Sequence, residues 1–371
     1  MFGTVCPARC LRVASFILLF FFITLSLAAC GGGSSGGPAH APPGLWVPNF
    51  FGDSFTAFNS KLYKTSGVPA ASITNLGETT ILPQQMLFDK KGNLWVTNCA
   101  DDTIGAGTIA EYTAHQVSQF SKNPDPDPAV LLTDDGTFNI FDCPYGEAFD
   151  SSGNLWVTNR FGLNVVEFTP SQLEAGGAPI PNTTIYSANF GAPEGIQFDT
   201  SGTLWIADIA ASEIFAFKAA TLAAAQGTVT ITAPDIINSS ASIFGPTDVI
   251  VQSSGDQWVA NLGGNNLLEF AAADVAMSGS PAPITTITAT SVTTPTGVAL
   301  SLDSPQGLAF DKKGNLWVSN ALSDNAGSIA EFTPAQIAAD GSPNPAVFLD
   351  SDVDGFNMND PVLISFGPNV R

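Results

Sequence analysis

Six copies of one short phrase constrain this chain more than any other feature. The phrase is clearest in Phe310-Asp311-Lys312-Lys313-Gly314-Asn315-Leu316-Trp317-Val318-Ser319-Asn320. It recurs from Phe88 to Asn98, from Phe149 to Asn159 and, loosened, from Phe198 to Asp208. A degraded copy runs from Val251 to Asn261, and Leu45-Trp46-Val47-Pro48-Asn49 is the second half of another. All six tryptophans (Trp46, Trp95, Trp156, Trp205, Trp258, Trp317) sit in these copies, one in each. A unit that recurs every ~50 residues cannot bury a core alone and must stack on its neighbours. The 371 residues are therefore read as one repeat domain, although length alone allows two or three.

Each unit opens with a Pro-x-Gly-apolar-x-Phe-Asp strand, as in Pro193-Glu194-Gly195-Ile196-Gln197-Phe198-Asp199. Asp and Gly three apart, as in Asp89-Lys90-Lys91-Gly92, suit a type I turn closed by Gly at positive φ. The Leu-Trp-Val strand follows and ends on Asn or Asp. A third strand ends in an aromatic, as in Val165-Val166-Glu167-Phe168 and Ile329-Ala330-Glu331-Phe332. Thr-Pro-x-Gln then predicts a short helix with Thr as N-cap and Pro in its first turn. A Gly/Pro-rich link leads to a fourth strand, such as Ala129-Val130-Leu131-Leu132.

Four antiparallel strands per unit and six units predict an all-β, six-bladed β-propeller. The first copy lacks its opening strand, and Pro361-Val362-Leu363-Ile364-Ser365-Phe366 matches that strand in register with Pro305 to Phe310. The C-terminus is expected to supply the innermost strand of the blade containing Trp46. Such closure leaves no open sheet edges.

The N-terminal segment, 1–29, reads as a leader. Arg9 and Arg12 form its positive region and Val13 to Ala28 its apolar region. Leu27-Ala28-Ala29-Cys30 resembles a bacterial lipobox, which implies lipid on Cys30. Residues 30–43 read as a flexible tether and 44–371 as the propeller. Gly31 directly after the Cys resembles lipoproteins sorted to an outer membrane. The expectation is a domain held at the cell envelope, outside the cytoplasm. An oxidising compartment permits a disulfide between Cys99 and Cys143, the alternative being two free buried thiols.

Over residues 44–367 the chain resembles the NHL-repeat family, and more broadly the six-bladed propellers that include gluconolactonase and senescence-marker-like enzymes. The resemblance rests on Pro-x-Gly-x-x-Phe-Asp…Gly-Asn-Leu-Trp-Val-x-Asn, a signature of architecture and not of activity. The gluconolactonase-like enzymes hold a catalytic calcium with carboxylates and amides at the start of innermost strands. Here Glu194 is the only carboxylate in the second place of those strands, with Asp248 and Glu147 one and two places further along. Streptogramin-opening propeller lyases need several histidines. This chain has His40 in the tether and His115 in an outer turn, so a histidine-based site is excluded.

Asn49, Asn98, Asn159, Asp208, Asn261 and Asn320 end the Trp strands, so they gather on one face of the ring. Gln84, Tyr145, Glu194, Thr247, Gln306 and Val362, after each opening Pro, join them. These side chains either satisfy backbone groups in the following turn or line a ligand mouth. On the second reading Asn98, Asn159, Arg160, Glu194, Asp208, Asn261, Gln306 and Asn320 are the ligand-binding candidates. Arg160 is the sole arginine between the leader and Arg371. It either anchors an anionic group of a ligand or pairs with Asp208 or Glu194. Asp350-Ser351-Asp352-Val353-Asp354-Gly355 matches half of a calcium loop, but Pro361 stands where the bidentate Glu belongs. Asp350, Asp352 and Asp354 are the candidate metal ligands, and calcium is the one candidate cofactor.

The formal net charge is −21, which repels phosphate backbones and excludes nucleic acid as a partner. Contact with a membrane is expected only through the lipid. The reading is a monomeric binding platform for a protein, peptide or carbohydrate, with no catalytic constellation. The alternative is a calcium-dependent lactonase or esterase with its site in the central mouth.

Overall fold

The computed structural model describes residues 44–367, apart from 60–63, 65, 68–72, 76–80, 100–106, 135, 137–139, 226–230, 232, 295–296, 322–326 and 352–357. Six four-stranded antiparallel sheets stand as the blades of a propeller. Blades 2 to 6 begin with the innermost strands Pro83–Phe88, Pro144–Phe149, Pro193–Phe198, Pro246–Val251 and Pro305–Phe310. Blade 1 takes its innermost strand, Ser365–Phe366, from the C-terminus, which pairs with Leu45 and Trp46. A bridge between Asn49 and Pro361 extends that pairing. The Leu363 amide also bonds the Gln84 carbonyl of blade 2. The ring thus closes as the missing half-repeat requires. An additional hairpin, Ser291–Thr294 with Gly297–Leu300, is inserted after blade 5.

The repeated phrase has a local physical reason at each step. In the turn, the Asp89 carboxylate accepts the amides of Lys91 and Asn93, and Gly92 sits at φ +84°. Asp150, Asp199 and Asp311 do the same in their blades. The Trp strand then runs between two neighbours and is buried throughout. Each of several tryptophans packs on the last Phe of the next blade's innermost strand. Trp46 meets Phe88 edge-on at 5.4 Å, and Trp95–Phe149, Trp156–Phe198 and Trp317–Phe366 repeat the contact near 6 Å. Such a pair adds about 0.5–1.5 kcal/mol beyond area burial, so the phrase cements blade to blade. Thr113, Thr169 and Thr333 form capping boxes with Gln116, Gln172 and Gln336, as the Thr-Pro-x-Gln pattern predicts in two of the three.

The Gly of Pro-x-Gly is required by close approach. A Cβ on Gly307 would lie 2.7 Å from Leu363 Cα, and one on Gly195 would lie 2.7 Å from the Thr247 carbonyl oxygen. The innermost strands bulge at this point in blades 2 to 6. A hydroxyl from the Trp strand bridges the gap in blades 2, 3 and 6. Thr97, Thr158 and Ser319 each accept an amide of their own bulge and donate to a carbonyl of the next blade.

Candidate functional site

The central channel has two ends of different character. At the end where the Trp strands finish, the amide ring is turned inward. Asp208 takes three backbone amides, from Gly191, Ala192 and Ala211, at 2.8–2.9 Å. Asn261 accepts from the Phe244 amide and donates to the Ser242 carbonyl and to Asn266. Asn320 accepts from the Asp303 amide and donates to the Ser301 carbonyl and Ser328. Asn159 donates to the Ile140 carbonyl and Asn164, Asn98 to Thr108, and Asn49 to Ser54. All six are buried. Apart from Asn98, whose bond stays within its own blade, the ring clips the inter-blade connections to the Trp strands, Asn49 by accepting the Asn359 amide, which is the turn-satisfying alternative of the sequence reading.

The remaining candidates at this end form a compact group. Arg160 Nε lies 3.1 Å from Glu194 Oε1, so of its two candidate partners it pairs with Glu194. Its guanidinium sits 5.6 Å above the rings of Tyr145 and Phe161. The Tyr145 hydroxyl reaches Gln306 Oε1 at 3.4 Å. Burial drives the Glu194 carboxyl up to about 8, outweighing Arg160, which pulls the other way. Burial likewise raises the Tyr145 phenol well above its ordinary range, with the Glu194 charge adding to it. Cys99 and Cys143 are joined in a disulfide, which packs on Tyr145 and Leu363. Gln84, Tyr145, Glu194, Thr247 and Val362 are all buried, so this end of the channel is filled by side chains.

Of the two places where a metal was expected, only the one at Glu194 lies wholly within the described residues. Glu194 has a guanidinium against it, which opposes a second cation there. Among the described residues, no three His, Cys, Asp or Glu side chains converge to hold a metal ion. Asp350 is the last residue of blade 6's outer strand Val347–Asp350 and is buried. Asp352 and Asp354 lie outside the described residues, as does Cys30. His115 is exposed on the short helix Ala114–Gln119.

The opposite end of the channel, where the Asp–Gly turns lie, opens into a cavity of about 780 Å³. Its walls are the ends of the innermost strands: Leu87, Ile196, Val249, Leu308 and Ile364 among the aliphatic groups, with Phe88, Phe149 and Phe198 towards the rim. Four carboxyl groups line it, Glu147 and Asp248 on innermost strands and Asp150 and Asp311 in turns that follow such strands. Asp248 replaces the bulge Gly in blade 5, and its oxygens accept the amides of Val249 and Leu308 at 2.8 Å. Burial lifts its carboxyl to about 7, against those two bonds. Gln85 and Gln197 cap the innermost strands of the next blades in the same manner, accepting the Glu147 and Val251 amides.

Glu147 is different. It pairs with Val157 at the register position where Met86, Ile196, Val249 and Leu308 pair with Val96, Ile206, Val259 and Val318. A carboxylic acid therefore occupies a place that is apolar in those four blades. It is 1 % exposed, and neither oxygen has a hydrogen-bond partner. Burial pushes its carboxyl well above the usual range; the nearby Leu87 amide acts in the opposite direction without forming a hydrogen bond. Aligning the copies gives the signal in the sequence, but only the fold places Glu147 on a cavity wall.

No protein-family model matches the sequence, and no curated protein matches it either. Solved structures do resemble it in fold. A Bacteroides caccae protein of unknown function has a TM-score of 0.56 at 11% identity, covering 88% of this chain and 99% of that one. A chain of the nidogen/laminin complex gives 0.55 at 11% identity, covering 89% and 100%. A protein provisionally named a 6-phosphogluconolactonase, from Bacteroides uniformis, gives 0.54 at 13% identity, covering 88% and 100%. A β-propeller is what these have in common with this chain. Identities this low speak to fold and not to activity.

Proposed function

We propose that this protein is a binding module of the cell envelope that takes a small ligand into the turn-side end of its central channel. The observation that carries this is the asymmetry of the channel: one end is filled by buried side chains, and the other opens into about 780 Å³. Concave, mostly apolar pockets with a few polar groups are where small molecules bind. A hydrolase of the lactonase kind requires a metal-binding donor set, and Glu194 beside Arg160 does not fit one. A neighbour provisionally named a 6-phosphogluconolactonase and a neighbour from an extracellular-matrix complex point in opposite directions, so the reading rests on the geometry of the channel.

The envelope location rests on the leader, Cys30 and the disulfide. Among the described residues no helix is long and apolar enough to cross a membrane. Labelling with a fatty-acid analogue tests the anchor, with label lost in Cys30→Ser. Ligand uptake is tested by a thermal-shift screen of small metabolites on the wild type and on Ala309→Phe, which fills the cavity. Hits that vanish in the filled variant support the channel; hits that persist place the site elsewhere.

A further inference from the structure

Resting on that reading of the channel, we propose that the ligand is a small organic cation, an ammonium group on an apolar or aromatic body, with Glu147 as its counter-ion. The cavity's polar groups are almost all committed to the fold. Asp248 gives both oxygens to backbone amides. The side-chain carbonyls of Gln85 and Gln197 are likewise taken. Among the cavity's carboxyl and amide side chains, Glu147 alone keeps two acceptor oxygens with no partner, at 1 % exposure; the buried Ser365 hydroxyl also lacks one. A buried polar group without a partner is costly, and four sister positions avoid that cost with Met86, Ile196, Val249 and Leu308. A residue of this kind is explained by a group that enters and completes its bonds.

The surroundings select the class. A calcium ion needs six to eight oxygen ligands, and the aliphatic walls do not supply them. An anion would face the cavity's carboxyl groups. An ammonium needs one carboxylate and a few acceptors, while its hydrocarbon body gains from Leu87, Ile196, Val249, Leu308 and the rim phenylalanines. The charged groups around the cavity are Asp248 inside and Asp150, Asp311, Lys90 and Lys312 at the rim. Lys90 is turned away to the Ser151 carbonyl, and Asp150 and Asp311 are held by their own turns. Burial raises the Glu147 carboxyl, and an ammonium beside it favours its charged form, so any proton it holds leaves for solvent on binding.

The test is calorimetry on the full-length chain with three probes: 2-phenylethylamine, the uncharged 2-phenylethanol and calcium chloride. Titrations in two buffers of different ionisation enthalpy count the protons released. The expected result is that the amine binds, the alcohol binds at least about tenfold more weakly, and protons are released with the amine but not with the alcohol. Glu147→Gln should weaken the amine by roughly 30-fold or more, with no change in the alcohol. Glu147→Leu serves as a second variant with the residue type of a sister blade. The ammonium assignment falls if no amine binding occurs, if calcium alone binds, if amine and alcohol bind alike, or if Glu147→Gln retains the amine. In those cases loss of library hits in Ala309→Phe still upholds the channel as a site. Amine binding that persists in Ala309→Phe overturns the channel and the ammonium assignment together.

Discussion

Arg160 Nε lies 3.1 Å from Glu194 Oε1, and this contact ties the end of blade 3's Trp strand to the innermost strand of blade 4. Glu194 is buried while Arg160 is a third exposed, so the two do not share the cost of desolvation equally. With its carboxyl raised to about 8, Glu194 sheds its charge readily when the cation is lost. Arg160→Ala is therefore expected to destabilise the fold by about 3 kcal/mol at about pH 9 and by less than about 1 kcal/mol at about pH 5. Urea denaturation at the two pH values checks this; an equal loss at both contradicts it.

The buried acids set the direction of the pH dependence. Glu194 rises from 4.5 to about 8 and Asp248 from 3.8 to about 7 on folding. Between those limits the folded chain holds more protons than the unfolded one, so stability falls as pH rises. The contribution is complete below the unfolded values and is lost as pH climbs through the folded ones. The melting temperature should decline from about pH 5 to about pH 8, and Glu194→Gln with Asp248→Asn should flatten the decline. A rise over the same range would contradict the assignment.

Cys99 and Cys143 are 44 residues apart in sequence and joined. In the chain-entropy model a loop of that length stabilises by roughly 4 kcal/mol. Cys99→Ser with Cys143→Ser, or reduction of the wild type, should lower the melting temperature by about 8–16 °C, at 2–4 °C per kcal/mol. Two reactive thiols in the denatured, unreduced protein would remove the bridge.

Glu147→Leu should raise stability by about 1–3 kcal/mol, because it replaces a buried carboxyl lacking partners with the residue type of the sister positions. Stability gained together with binding lost is the expected signature of a site residue. Denaturation and calorimetry on one preparation read both. A loss of stability would mean that the carboxyl has a structural role.

Much of the architecture was legible because it is written locally and repeated. The Asp89-to-Gly92 turn, the Trp strands and the Thr169 and Thr333 caps each depend on neighbours within a few residues. The closing strand was legible because Pro361 to Phe366 repeats a pattern whose place was vacant at Leu45. The roles of Asn98, Asn159, Asp208, Asn261 and Asn320 were less so. Position put them at one end of the ring, but the bonds of the last four go to backbone groups up to 19 residues away, and those are assigned only once the connections are folded.

The sequence by itself determined the blade, the number of blades and the way the ring closes, since these follow from short-range patterns and their spacing. Only the tertiary structure decided which end of the channel is filled and which is open. It also decided which polar side chains are spent on the backbone and that Glu147 is not. The innermost strands of several blades must converge before Glu147 stands on a cavity wall, because Gln85, Ile196, Asp248 and Leu308 around that cavity each come from another blade.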